Sequence, residues 1–261
     1  MDETRTLTEI KRFVNTKSEM LTDIVARERS FSIFVNGKRL LSISVLPENL
    51  RELAWGFLFS EGIIQDKEEI LSENYTLGDS FINFKLNIPQ ERLFNFFNTG
   101  EKTSGCGSFL SSALSVEREK FPKIIVNSAE LLKHMVEFQK DSQLFRETGG
   151  VHSAALVLDN RIISRADDIG RHNAVDKIIG DSILKAIDLS KTILLSSGRI
   201  SSEIVKKCVR SGIPIIASQS APTSEAIRLG WDYKIFIIGF MRGKRFNLYT
   251  GFDDLVFPRI F

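Results

Sequence analysis

Apolar and polar residues alternate in two runs within FSIFVNGKRLLSISV (31–45), and Asn36-Gly37 joins them. A period of two predicts strands, and Asn-Gly between two such runs is the strongest short-range hairpin signal. The period then lengthens. Leu50, Leu53, Ala54, Phe57 and Leu58 recur at helical spacing, with Pro47 suited to the first helical turn and Gly62 to its stop. FINFKLNI (81–88) alternates again as a strand, and 91–98 reads as a helix ending near Gly100. A helix-like segment, FLSSALSVEREKF (109–121), stops before Pro122.

Beyond Pro122 strands and helices take turns. Ser128 can cap the helix AELLKHMVEFQK. SAALVLD (153–159) and RIISRA (161–166) form a hairpin around Asp159-Asn160. A helix beginning HNAVDKIIG, a buried strand at 191–197, a helix at 201–212, a strand at 213–218, a helix over 223–229 and strands at 233–240 and 245–250 complete the series. Such alternation predicts a largely parallel sheet with helices on its faces. The expected division is residues 1–121, an α+β domain, and 122–261, an α/β domain, so the chain reads as α/β (α+β overall).

Composition narrows the classes. Of 261 residues, 43% are hydrophobic and 26% charged, which excludes a disordered chain. A net charge of +2 argues against a general nucleic-acid coat. Two cysteines, far apart, give no disulfide framework and exclude a four-cysteine zinc site. No apolar run approaches a membrane span, and the charged N-terminus has no signal-like apolar core. The expectation is a reduced, cytoplasmic protein with no nucleic-acid or membrane partner.

Cys106 sits between two glycines in TSGCGS (103–108), a loop of small polar residues. Lys102 nearby, and a helix starting at about Ser108, would both favour the reactive thiolate. An incidental loop cysteine is the other reading. Cys208 lies on the apolar face of its helix, four residues after Ile204, and reads as buried and structural. Three strand-to-helix junctions, 167–173, 196–201 and 217–223, are rich in Ser, Thr, Asp and Gly. They read either as ordinary capping or as an anion-binding crevice beyond the strand ends. Gly239-Phe240-Met241-Arg242-Gly243-Lys244-Arg245 sets three cations around a glycine after the last long strand, and Phe240 could stack on a ring. This is either an anion-binding turn or an ordinary basic hairpin. His134 reads as a surface or boundary residue. His152, Asp168, Arg171 and His172 read either as site residues or as organisers of the loops. The His-x-Glu and Pro-Cys-x-x-Cys strings of a zinc deaminase, a Gly-x-Ser-x-Gly elbow and a Walker loop are all absent.

Four strings occur in order: ETGGVHSAA (147–155), DIGRHNAVDKIIG (168–180), SSGR (196–199) and GFMR (239–242) with Tyr249-Thr250. With these the chain resembles the FdhD family of formate dehydrogenase accessory sulfurtransferases, over nearly its whole length. The resemblance implies a cytidine-deaminase-like three-layer domain in the second part, without the zinc, and a homodimer. It implies a sulfurtransferase whose loop cysteine, here Cys106, receives sulfur as a persulfide from a cysteine desulfurase. The acceptor would be the molybdenum or tungsten of a bis-molybdopterin guanine dinucleotide cofactor, as formate dehydrogenase requires. The family's cofactor segment falls on Phe240, Met241, Arg242, Gly243, Lys244 and Arg245. One departure stands out: where some members carry Cys-x-x-Cys, the second position here is Phe109, so Cys106 alone would hold the sulfur. The competing function is a non-catalytic chaperone that only holds the cofactor for insertion.

Overall fold

A computed structural model describes residues 3–99, 122 and 124–256. The chain opens with an antiparallel ribbon of β1 (Arg5–Val14) and β2 (Lys17–Ala26). Sequence reading misses this ribbon because apolar residues fall on both of its faces, so neither strand shows a buried side. β3 (Arg29–Val35) and β4 (Lys38–Val45) then form the expected hairpin, turning through Asn36 and Gly37 at φ 51° and 77°. Two successive left-handed residues are what a two-residue turn of type I′ requires. α1 (Leu50–Ser60) starts behind a left-handed Asn49, so Pro47 precedes the helix instead of occupying its first turn. β5 (Ile70–Asn74), β6 (Phe81–Leu86) and α2 (Gln90–Thr99) follow. The sheet order is β4-β3-β6-β5. Its alternate residues Phe31, Ile33, Ile82 and Phe84 share one core with Leu50, Leu53, Phe57 and Leu58 of α1. The Cys106 loop and the helix expected over 109–121 lie outside the described residues.

After β7 (Ile124–Ile125) comes α3 (Ser128–Asp141). Its cap is Asn127, whose Oδ1 accepts from the amides of Ala129 and Glu130, and Ser128 is the first helical residue. α4 (Gln143–Thr148) leads into β8 (His152–Leu158) and β9 (Arg161–Asp168), joined through left-handed Asp159 and Asn160. Then follow α5 (Arg171–Leu184), β10 (Ile193–Ser196), α6 (Ser202–Ser211), β11 (Ile215–Ser218), α7 (Ser224–Asp232), β12 (Phe236–Arg242), β13 (Arg245–Leu248) and β14 (Leu255–Val256).

Six of these strands form one sheet in the order β13-β12-β11-β10-β8-β9. The expected largely parallel sheet is in fact mixed. β10/β11 and β11/β12 are parallel, while the other three ladders are antiparallel. The reason is that the β8–β9 hairpin joins the same sheet, and a hairpin reverses chain direction. Alternate residues of each strand point to opposite faces. Ala154, Leu156, Leu194, Ile216 and Ile237 pack with α5, α6 and α7, whereas Ala155, Val157, Leu195, Ala217 and Ile238 pack with α3. The result is three layers.

Two features join the halves. α1 and α5 cross with their backbones in contact: a Cβ at Gly56 would lie 1.8 Å from the Asp176 carbonyl oxygen, and one at Gly180 would lie 1.9 Å from that of Glu52. Beside this crossing Lys207 is sealed from solvent. Its Nζ lies 2.6 Å from Glu61 Oε1 and 3.0 Å from Asp176 Oδ2, and it donates to Ser60 Oγ at 2.9 Å. Burial alone would lower the Lys207 ammonium, but Asp176 and Glu61 hold it above the ordinary lysine range. Burial pushes the Glu61 carboxyl up, partly offset by Lys207. Cys208, as expected, is fully buried, and desolvation raises its thiol far above the ordinary range. His134, expected at the surface or its boundary, is buried, with Nε2 2.6 Å from Asn160 Oδ1.

Candidate functional site

The three junction loops meet at one edge of the six-stranded sheet. β9, β10, β11 and β12 all end there, and β8 begins there, because β8 runs against β9 and β10. Loop-to-loop hydrogen bonds fix them. Ser197 N donates to Ser153 O at 3.0 Å, and Ser153 N donates to Ser197 Oγ at 2.9 Å. Ser218 Oγ donates to Ser196 O at 3.0 Å and to Gly198 O at 2.7 Å. Ser220 N donates to Ser218 Oγ at 3.0 Å, and Phe240 N to Ser220 O at 3.0 Å. Many of the serines that drew attention in the sequence are thus spent inside this lattice.

Capping separates the three helices. At α7, Thr223 Oγ1 accepts from Ala226 N, so ordinary capping explains that junction. The cap residues of α5 and α6 are Gly170 and Ser201, and neither makes a side-chain cap bond. Their first-turn N–H groups keep the partial positive charge that attracts anions.

Between these two helix starts lie His152, Arg171, His172 and Arg199. Gly198 makes the packing feasible: a Cβ there would stand 3.1 Å from Arg171 Cβ and Cδ and 3.5 Å from His152 Nδ1. Ser197 Oγ lies 3.4 Å from His152 Nδ1. His172 Nε2 sits 2.7 Å from Glu203 Oε2. Arg171 Nε and His172 Nδ1 are buried and have no hydrogen-bond partner among the described residues. Burial, reinforced by Arg171, His172 and Arg199, lowers the His152 imidazole below its ordinary range, so it is neutral at pH 7. An anion entering this edge would meet cationic guanidinium groups and unspent N–H donors.

Asp168 has a different task. Its carboxylate is fully buried, 2.7 Å from Lys177 Nζ, and accepts from Gly170 N at 2.9 Å, Asn173 Nδ2 at 2.8 Å and Leu46 N at 3.1 Å. Lys177 donates in turn to Leu46 O at 3.1 Å. Asp168 therefore organises the loop and ties the first sheet to α5.

The segment 240–245 forms the bulged turn between β12 and β13. Phe240 is exposed at the rim with φ 50°, a conformation that strains a bulky side chain. Arg242 Nε donates to Gln219 O at 2.8 Å, which ties the turn to the third junction. Gly243, Lys244 and Arg245 are exposed, whereas Met241 is fully buried on the α3 face. The sequence brought out the junctions and this turn but missed Glu203, whose partnership with His172 depends on the α5–α6 packing. Among the described residues, no three His, Cys, Asp or Glu side chains gather as a metal-ligand set, and no helix is long and apolar enough to cross a membrane.

The fold is a three-layer α/β protein with cations and two helix N-termini gathered at one edge of its six-stranded sheet. The chain belongs to the FdhD/NarQ family, whose sequence profile matches residues 26–256. The sulfur carrier protein FdhD of Wolinella succinogenes is 36% identical over 233 residues, covering 87% of this chain and 81% of that relative. The sulfur carrier protein FdhD of Listeria monocytogenes is 36% identical over 254 residues, covering 94% and 97%. In fold the chain matches a crystal structure assigned to a formate dehydrogenase accessory protein from Desulfotalea psychrophila, with a TM-score of 0.79 at 24% identity, over 97% of this chain and 100% of that one.

Proposed function

We propose that the chain is a cytoplasmic sulfur carrier for formate dehydrogenase maturation, acting as a homodimer. Cys106 takes sulfur from a cysteine desulfurase: its thiolate attacks the outer sulfur of the donor persulfide, the donor S–S bond breaks, and the donor thiolate leaves, with no net oxidation. The outer sulfur would then pass to the metal of a bis-molybdopterin guanine dinucleotide cofactor, which is the substrate: the S–S bond of Cys106 would break, Cys106 would leave as the thiolate, and the reduced metal centre would supply the two electrons that turn the sulfur into sulfide. The sulfur role is supported by the names of the relatives. Binding of the nucleotide end is supported by one observation, the buried and unpartnered nitrogens of Arg171 and His172 beside two helix starts that lack side-chain caps. Phe240, Arg242, Lys244 and Arg245 supply rim contacts, while Met241 and Gly243 hold the turn that presents them. Cys208 does not compete for the sulfur, because burial keeps it as the thiol.

Intact mass after incubation with cysteine and a cysteine desulfurase tests the carrier role. A reducible gain of one sulfur atom is expected in the wild type and in Cys208→Ala, and no gain in Cys106→Ala. No gain in any form would leave only cofactor holding, a reading in which Cys106→Ser still activates formate dehydrogenase.

The nucleotide end is tested by titration calorimetry with GDP as the probe. A hydrogen bond to a charged group is worth about 1.5–3 kcal/mol. Arg171→Ala and Arg242→Ala are therefore each expected to weaken binding by roughly 10–100-fold. Affinity equal to wild type in both variants would defeat the assignment of the crevice.

A further inference from the structure

The β1–β2 ribbon leaves the body of the molecule. Its root is held by the Arg5–Glu147 ion pair, by Arg27 N donating to Thr4 O at 2.8 Å, and by Ala26 packing against Leu46, Leu144 and Val151. Beyond the root, every residue from Lys11 to Met20 is exposed. Ten residues per strand give an arm about 33 Å long. A lone two-stranded ribbon is marginal in water. This one also carries apolar side chains into solvent: Leu7 is 70% exposed, Phe13 68%, Val14 59% and Met20 67%. The pairing Leu7↔Ile24 and Lys11↔Met20 sets Leu7, Phe13, Met20 and Ile24 on one face of the ribbon. The outer edges of both strands are unpaired among the described residues. Such a surface is built to be covered.

We propose that the arm clasps a second copy of this chain, its tip lying antiparallel along the root of the other copy's arm. The proposal rests on the homodimer reading above and names the surface that forms it. Charge favours this arrangement. On the ribbon's apolar face Lys11 lies toward the tip and Glu9 toward the root. An antiparallel pair sets each Lys11 against the other copy's Glu9, whereas a parallel pair sets like on like. Apolar groups match in the same way. Phe13 and Met20 toward the tip find Leu7 and the exposed Phe145 of α4 at the root. An arm face about 33 Å by 10 Å buries about 330 Å² per partner, so the landing surface extends from the root onto the body around the exposed Phe145 to approach the ~800 Å² per partner of a stable interface.

Sedimentation equilibrium of the full chain at micromolar concentration tests this. The wild type is expected to be dimeric. Phe13→Glu with Met20→Glu is expected to weaken the dimer at least tenfold, with an unchanged circular dichroism spectrum because both side chains lie clear of the body. Lys11→Glu alone and Glu9→Lys alone are expected to weaken it, and the two together to restore it. If the wild type and every variant are equally dimeric, the arm proposal is overturned and the homodimer reading stands. A monomeric wild type overturns both. The sulfur-gain measurement on the same preparations reports on the carrier role independently.

Discussion

Replacing Gly180 with alanine is expected to lower the melting temperature by about 10 °C or more, even though alanine is the better helix former by about 1 kcal/mol. The added Cβ would stand 1.9 Å from Glu52 O, 2.7 Å from Gly56 N and 2.8 Å from Glu52 C. All three atoms are backbone, so no rotamer change relieves the overlap, and α1 and α5 must separate. Separation opens two cores at once, because α1 carries the core of the first sheet and α5 that of the second. Overpacking typically costs about 1–3 kcal/mol, and an overlap with backbone that no rotamer relieves puts this loss above that range, at about 4 kcal/mol. Against a total stability of about 5–15 kcal/mol, that also reduces soluble yield. Gly56→Ala should behave alike, since its Cβ would lie 1.8 Å from Asp176 O. Thermal unfolding followed by circular dichroism checks this, and a melting point within about 2 °C of wild type would show that the crossing yields easily.

Lys207→Met is expected to cost about 3–5 kcal/mol, the scale for removing one partner from a buried ion pair. The methionine fits the volume of the lysine stem but leaves Glu61 and Asp176 buried together, with Arg210 3.8 Å from Glu61 as the remaining cation. The deficit should depend on pH. Burial raises the Glu61 carboxyl above its ordinary 4.5, and losing Lys207 removes a stabiliser of the charged form. A raised folded-state pKa contributes stability below the unfolded value and loses it as pH rises through the folded value. The variant should therefore be closest to wild type at about pH 4.5 and fall furthest behind near neutrality. Adding Glu61→Gln should recover part of the loss at pH 7. Urea unfolding at the two pH values measures both effects, and a deficit independent of pH would assign the cost to packing instead of charge.

Local chemistry in the sequence was enough to place most of the elements. Asn36-Gly37 and Asp159-Asn160 announce their hairpins because few residues tolerate two successive left-handed conformations. The order of strands was out of reach, because whether the β8–β9 hairpin joins the later strands depends on packing between distant segments. The ribbon over Arg5–Ala26 escaped for the opposite reason: with no buried face, it carries no binary pattern. Lys207 did leave a trace. It falls three residues after Ile204 on the face that also holds Cys208, a charge where an apolar residue belongs. Its partners could not be read, since Glu61 and Asp176 come from two other helices. At the crevice, the loop composition was visible, but its division of labour was not. Asp168 and Arg171 are three residues apart, yet one is sealed into a structural ion pair and the other keeps an unspent donor.

The hydrogen-bonded lattice that links Ser153, Ser197, Ser218, Ser220 and Phe240 has a thermodynamic consequence. The rim is already ordered before a guest arrives, so docking freezes few backbone torsions. Each torsion pair left to be fixed on binding would otherwise cost about 1–2 kcal/mol of chain entropy. If the proposed cofactor docks at this edge, such preorganisation would return most of the contact energy as affinity. Loosening one serine of the lattice should then appear as a less favourable binding entropy, with the ligand's own contacts left in place.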